Sequence, residues 1–143
     1  TACMGYGDKE IIAELPSRIV SSRILFVGLR NWEREEIIVR QKQYGIPHLA
    51  PRDVAQDSDA VKCWLKTCGA SKVLIHFDMD VLDPSEIVAA VGTDPEGMKM
   101  EAVIRVINDI AVEKEIVGLT IAEPMPRTAI RIKDMLNSLP LLK

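Results

Sequence analysis

The chain has 143 residues, 48% hydrophobic and 27% charged, which is the balance of a globular domain able to bury a core and excludes a disordered tail. Its formal net charge is -3 and its 18 basic and 21 acidic residues are interspersed, so it lacks the clustered positive field that nucleic acid or an anionic membrane surface would require. No apolar run approaches the roughly 18 residues of a membrane span, and Asp8, Lys9, Glu10 and Glu14 stand where a signal peptide would need an apolar stretch, which points to a cytoplasmic setting.

Opening at Thr1 rather than at an initiator Met, the sequence is expected to lack an upstream segment. The first continuous apolar run, Ile24 to Leu29, reads as a strand. The charge-rich stretch from Trp32 to Tyr44, with Ile37, Ile38 and Tyr44 as its apolar positions, reads as a covering helix. His48 follows in Gly45-Ile-Pro-His-Leu49, a loop-like stretch where it is expected to be an ordinary surface residue. A second helix is predicted from about Val54 to Cys68, because Val54, Val61, Trp64 and Leu65 recur at helical spacing. Val73 to Asp78 is the second strand, and Met98 to Val112 is a helix carrying Val103, Ile104, Ile107 and Ile110. Ile116 to Ala122 is the third strand, and Thr128 to Leu139 is the last helix, with Thr128 placed to cap it.

Short, β-branched strands of nearly continuous hydrophobicity, alternating with helices, predict an α/β fold: three α/β/α layers around a mostly parallel sheet. No repeat, low-complexity tract or linker divides the chain, so residues 1–143 form one domain or part of one. Cys3, Cys63 and Cys68 are an odd set without C-x-x-C spacing and are expected to be reduced thiols. His48 and His76 are the only histidines, so a histidine-rich metal site would have to use both.

The chemistry concentrates in Val73-Leu-Ile-His-Phe-Asp78-Met-Asp80-Val-Leu-Asp83-Pro84. Alternation along the strand sends Asp78 and Asp80 out on one face, at the carboxyl end where open α/β sheets place their ligand sites. Two carboxylates so close repel one another, and a divalent cation between them is the simplest relief. On the residues alone, solvated strand-end acids and a turn begun by Asp83-Pro84-Ser85 remain open as a plainer explanation.

The full string, a buried strand followed by Asp-x-Asp-x-x-Asp-Pro, resembles a metal motif of the arginase/agmatinase (ureohydrolase) family. Val117-Gly-Leu-Thr-Ile-Ala-Glu123-Pro-Met-Pro126 is similar to that family's strand ending in a substrate-holding glutamate, and Phe26-Val-Gly-Leu-Arg30 with Tyr44-Gly-Ile46 is similar to its middle section. The order of the three blocks matches the C-terminal half of the family's fold across nearly the whole chain.

The resemblance implies that Asp78 and Asp80 are ligands of a binuclear Mn²⁺ centre, that Asp83 braces the loop after the strand, and that Glu123 binds a guanidinium or amidine substrate through paired charge-assisted hydrogen bonds. It further implies a metal-dependent hydrolase acting on arginine, agmatine or a related small compound, and the expected assembly is a homo-oligomer, since half a fold leaves sheet edge and apolar surface uncovered.

Departures from the family pattern carry equal weight. Neither a Gly-Gly-Asp-His string nor an Asp-Ala-His-x-Asp block occurs, so four of the six metal ligands that the resemblance calls for are missing, and the fragment alone is expected to be inactive. His76 stands where the family commonly has Ser and is a candidate to support the ligands from behind, against the plainer role of a satisfied strand histidine. Gly92-Thr-Asp-Pro-Glu-Gly97 is an imperfect match to a family loop and is assigned no role.

Two other functions stay in view. The Asp-Met-Asp-Val-Leu run also resembles the nucleophile motif of haloacid-dehalogenase-type phosphatases, with Asp78 as nucleophile and Asp80 as general acid. Such an enzyme needs a downstream lysine and a further acidic pair, whereas the later strand offers the single Glu123 ahead of Pro124. A non-catalytic α/β binding module is the third possibility.

Overall fold

The carboxylate of Asp8 accepts from the backbone N–H groups of Glu10 (2.8 Å) and Ile11 (3.4 Å) and so starts α1 (Lys9–Ala13) in the computed structural model of the chain, which describes residues 2–30, 35–92, 94–125 and 129–142. Beyond a 3-10 turn at Ser21–Arg23, β1 (Phe26–Val27) pairs in parallel with β2 (His48–Leu49), and α2 (Glu35–Tyr44) lies between them in the chain.

The predicted strand from Ile24 to Leu29 shrinks to two residues, because Gly28 adopts φ +86° and turns the chain out of the ladder. The glycine is also a steric requirement: a Cβ there would meet the side chains of Val81 and Met98. His48, expected in a loop, lies in β2; its side chain is exposed while Leu49 packs on the core. A two-residue strand has no periodicity to read. The start of the helix predicted from Trp32 lies outside the described residues, as do Thr93, Pro126 and the proposed cap Thr128.

The helix predicted from Val54 begins later, as α3 (Asp59–Thr67). Pro51–Val54 forms a separate 3-10 turn, in which Asp53 Oδ2 accepts from the N–H of Ala50 (2.8 Å). Buried Val54 still contributes to the core from this turn, which explains why it fitted the helical pattern.

β3 (Lys72–Asp78), α4 (Met100–Glu113) and β4 (Glu115–Ala122) form a β-α-β unit, its strands paired in parallel from Lys72↔Glu115 to Asp78↔Ala122. The register slips by one residue between Val73 and Leu74, where β4 passes over Val117. α5 (Ala129–Leu136) follows. Helices thus alternate with parallel strands, an α/β fold, with the described strands forming two pairs, β1 with β2 and β3 with β4.

One continuous core unites the elements. Val61 and Leu65 of α3, Val103, Val106, Ile107 and Ile110 of α4, Phe77 of β3, and Ile132 and Met135 of α5 are buried in it. Val73, Ile75, Ile116, Leu119 and Ile121 pack against it from the inner face of the β3/β4 pair. The outer face presents Leu74 (67% exposed) and Val117 (54%) beside His76 and Thr120. Lys62 of α3 and Asp109 of α4 form an ion pair at 3.3 Å across the two helices. Among the described residues no helix is long and apolar enough to cross a membrane.

Candidate metal centre

β3 delivers the first acid. Phe77 is buried and fixes the end of the strand, leaving Asp78, half-buried, as its last residue. The strand does not run on to Asp80 as alternation assumed: Met79–Val81 is a 3-10 turn, anchored by Met79 at 1% exposure. Asp78 is the N-cap of this turn, and its Oδ1 accepts from the N–H of Asp80 at 3.2 Å. The two carboxylates are therefore brought together by a capped turn rather than by the pleat.

β4 delivers the third acid from the neighbouring position. Ala122 lies opposite Asp78 in the ladder, and the next residue, Glu123, adopts φ +57°. For a residue with a Cβ the left-handed conformation costs roughly 1–2 kcal/mol, the kind of strain found where a side chain must be aimed. The segment beyond is tied down by the N–H of Met125, which donates to Ala89 O at 2.8 Å.

One carboxylate oxygen each from Asp78, Asp80 and Glu123 lies within 4.8 Å of the other two. Two unit charges about 4 Å apart repel by about 1 kcal/mol in water and about 4 kcal/mol near a protein surface, so three acids in this space favour a cation among them. An all-oxygen donor set suits a hard divalent ion such as Mn²⁺, Mg²⁺ or Ca²⁺, and it is equally suited to a guanidinium.

The remaining candidates lie around this group. Asp83 Oδ1 accepts from the N–H of Ser85 (2.9 Å) and from the Ser85 hydroxyl, and its Oδ2 accepts from the N–H of Gly97 (3.0 Å). The Ser85 hydroxyl bond above all, helped by the two amides and by nearby Lys99, holds the Asp83 carboxyl below its ordinary range. His76 is exposed on β3, with Nδ1 2.7 Å from Thr120 Oγ1 on β4. That hydrogen bond joins two side chains directly opposite one another in the ladder.

Sequence reasoning gave no role to Arg30, a residue only 7% exposed whose guanidinium donates to the carbonyls of Asp80, Leu82, Asp94 and Pro95. A cation directly after an apolar run was the available signal. Its partners, main-chain carbonyls some 50 and 65 positions away, leave no mark on a sequence.

A model of the arginase family matches residues 10–136. No curated protein sequence matches the chain. Among solved structures, Entamoeba histolytica arginase in complex with L-ornithine superposes with a TM-score of 0.82 at 20% identity, over 96% of this chain and 50% of that one. Bacillus cereus arginase gives 0.79 at 17% identity, over 96% and 52%, and Bacillus subtilis formimidoylglutamase gives 0.67 at 19%, over 75% and 35%. At these identities the superpositions establish an arginase-like fold, and the chain spans about half the length of the arginases it matches.

Proposed function

Because the chain belongs to the arginase family, we propose that it is the C-terminal portion of a metal-dependent ureohydrolase that cleaves the C–N bond of a guanidino or amidine compound. That membership also sets aside the phosphatase alternative, whose further acidic pair is missing from the end of β4. The observation that carries the proposal is the convergence of Asp78, Asp80 and Glu123 within 4.8 Å at the carboxyl ends of two adjacent parallel strands.

Asp78 and Asp80, half-buried and coupled through one turn, would hold Mn²⁺ from this side, and the all-oxygen donor set fits that ion. A manganese pair held there would lower the pKa of a water toward neutrality. Glu123, more exposed and set just past the end of the adjoining strand, would accept from the planar guanidinium or amidine nitrogens of arginine, agmatine or a related small substrate. Its carboxylate lies close to the other two, so the negative charge of the group favours both metal and a cationic substrate beside it. The ligand strings missing from the sequence would come from a further segment, so the chain by itself would bind metal weakly and be inactive.

Residues 1–143 would be one incomplete domain, cytoplasmic and acting on small molecules rather than nucleic acid or membrane. The exposed Leu74 and Val117 on the outer sheet face support self-association.

Calorimetric titration of the chain with Mn²⁺, beside an Asp78→Asn/Asp80→Asn double variant, tests the proposal. Weak binding that disappears in the variant is expected. Binding indifferent to the two substitutions would remove the metal centre from consideration, and tight aspartate-dependent binding would mean a self-sufficient site with a different function.

A further inference from the structure

We propose that Arg30 is a positioning residue for the acidic centre: its buried guanidinium clamps the turn carrying Asp80 to the 94–95 loop and thereby sets the direction of the Asp80 carboxylate. The inference rests on the metal-centre reading above and extends it to a residue outside the acidic group.

Arg30 lies two residues past Gly28, whose lack of a Cβ lets the end of β1 approach Val81 and Met98. From there Nε donates to Pro95 O at 2.9 Å, and Nη2 donates to Asp80 O (2.9 Å), Asp94 O (2.9 Å) and Leu82 O (3.3 Å). One nitrogen with two hydrogens thus serves three carbonyls, two on the turn after β3 and one on the loop, while Nε adds a second anchor on the loop. A rigid planar fork can span two segments in this way; a lysine ammonium is a point donor on a flexible stem and cannot.

The carbonyl of Asp80 belongs to the same residue as the proposed ligand, so fixing it fixes the peptide plane from which the side chain departs. Two further ties hold the loop against the turn: the N–H of Met98 donates to Val81 O (2.8 Å), and the N–H of Asp83 donates to Met98 O (2.9 Å). The space between is full. A Cβ at Gly97 would stand 2.6 Å from Asp83 N, 2.6 Å from the Leu82 carbonyl carbon and 2.7 Å from Arg30 Nη2. Gly97 therefore allows the guanidinium to sit where it does.

The test uses the full chain with Arg30→Met, Arg30→Lys and Gly97→Ala, each recorded by ¹⁵N–¹H NMR with substoichiometric Mn²⁺, whose paramagnetic broadening maps even weak binding. Broadening in the unsubstituted protein is expected to centre on the amides of Asp78, Asp80 and Glu123. In Arg30→Met, with β3, β4 and α4 resonances in place, broadening over the whole Asp78, Asp80 and Glu123 group at a given Mn²⁺ concentration should fall by about 10-fold or more, as for other groups that orient metal ligands. Arg30→Lys, which keeps a donor without the planar fork, should restore a part and carries the comparison if Arg30→Met does not fold; Gly97→Ala should also lower the broadening, since its Cβ meets the backbone of Leu82 and Asp83 as well as the guanidinium.

A lower unfolding midpoint with the broadening pattern unchanged would make Arg30 a fold-supporting residue only and overturn the proposal. Should the unsubstituted protein show no localised broadening, the metal reading fails, and amide exchange decides the clamp alone. Faster exchange at Asp83 and Met98 in the Arg30 variants, with β3 and β4 amides unchanged, would sustain it, and unchanged exchange would end it.

Discussion

Asp78 Oδ1 accepts the backbone N–H of Asp80 at 3.2 Å, so one carboxylate of the acidic group caps the turn that presents the other. Structure and chemistry share an atom here, and substitutions separate them. Asp78→Asn keeps an acceptor oxygen and removes the charge, whereas Asp78→Ala removes both. Urea denaturation should place the alanine variant about 1 kcal/mol below the asparagine variant, the usual worth of a capping side chain, while both lose Mn²⁺ binding in calorimetry. Equal stabilities would mean that the cap contributes nothing.

Glu123 sits in the left-handed region at φ +57°, where glycine carries no steric penalty. Glu123→Gly is expected to raise stability by up to about 1 kcal/mol by relieving that strain and to abolish retention of guanidinium compounds in a binding assay. Glu123→Gln should lose the binding without the gain in stability. A glycine variant less stable than the glutamine one would show that the contacts of Glu123 outweigh its backbone strain.

Asp83 is held below the ordinary aspartate pKa, chiefly by the Ser85 hydroxyl, with the amides of Ser85 and Gly97 and the charge of Lys99 adding to the effect. A carboxyl whose folded pKa is depressed contributes stability that is present above its unfolded pKa, about 3.9, and is lost as pH falls through the folded value. The stability difference between the unsubstituted protein and Asp83→Asn should therefore be constant near neutrality and shrink as pH drops below about 4. Urea midpoints measured across that range check this, and a difference that grows in acid would contradict the assignment.

Leu74 and Val117 lie on the outer face of the β3/β4 pair at 67% and 54% exposure. Leu74→Lys and Val117→Lys together are expected to lower self-association in sedimentation velocity while changing stability by about 0.5 kcal/mol or less, as substitutions of exposed residues do. A sedimentation profile unaffected by both charges would place any self-contact elsewhere.

How much of this was legible beforehand follows from the length of each signal. β3, α4 and β4 are long enough for hydrophobic runs and helical spacing to register, and the acidic string at the end of β3 could be read as a site because it is contiguous. β2 could not, since His48 and Leu49 are a strand only by virtue of Phe26 and Val27 beside them. Asp78 and Asp80 were placed together for an incomplete reason: alternation assumed a strand where the chain forms a capped turn. Glu123 was found through its motif, but its backbone conformation was not, because nothing in Ala-Glu-Pro calls for a left-handed glutamate. Arg30 was missed because main-chain carbonyls are present at every position, and only the tertiary fold selects four of them.

The acids of the centre come from strands joined by the whole of α4, and Ala122, just before Glu123, pairs with Asp78 at the last rung of the ladder. Parallel pairing across a helical crossover is a non-local contact, whose loop-closure cost falls before its reward. The three carboxylates therefore meet only when the ladder has closed to its end, and their mutual repulsion bears on the final rungs. A cation shared by both strands would act as a latch on a finished structure: it would slow the opening of the protein while leaving the speed of its folding almost untouched.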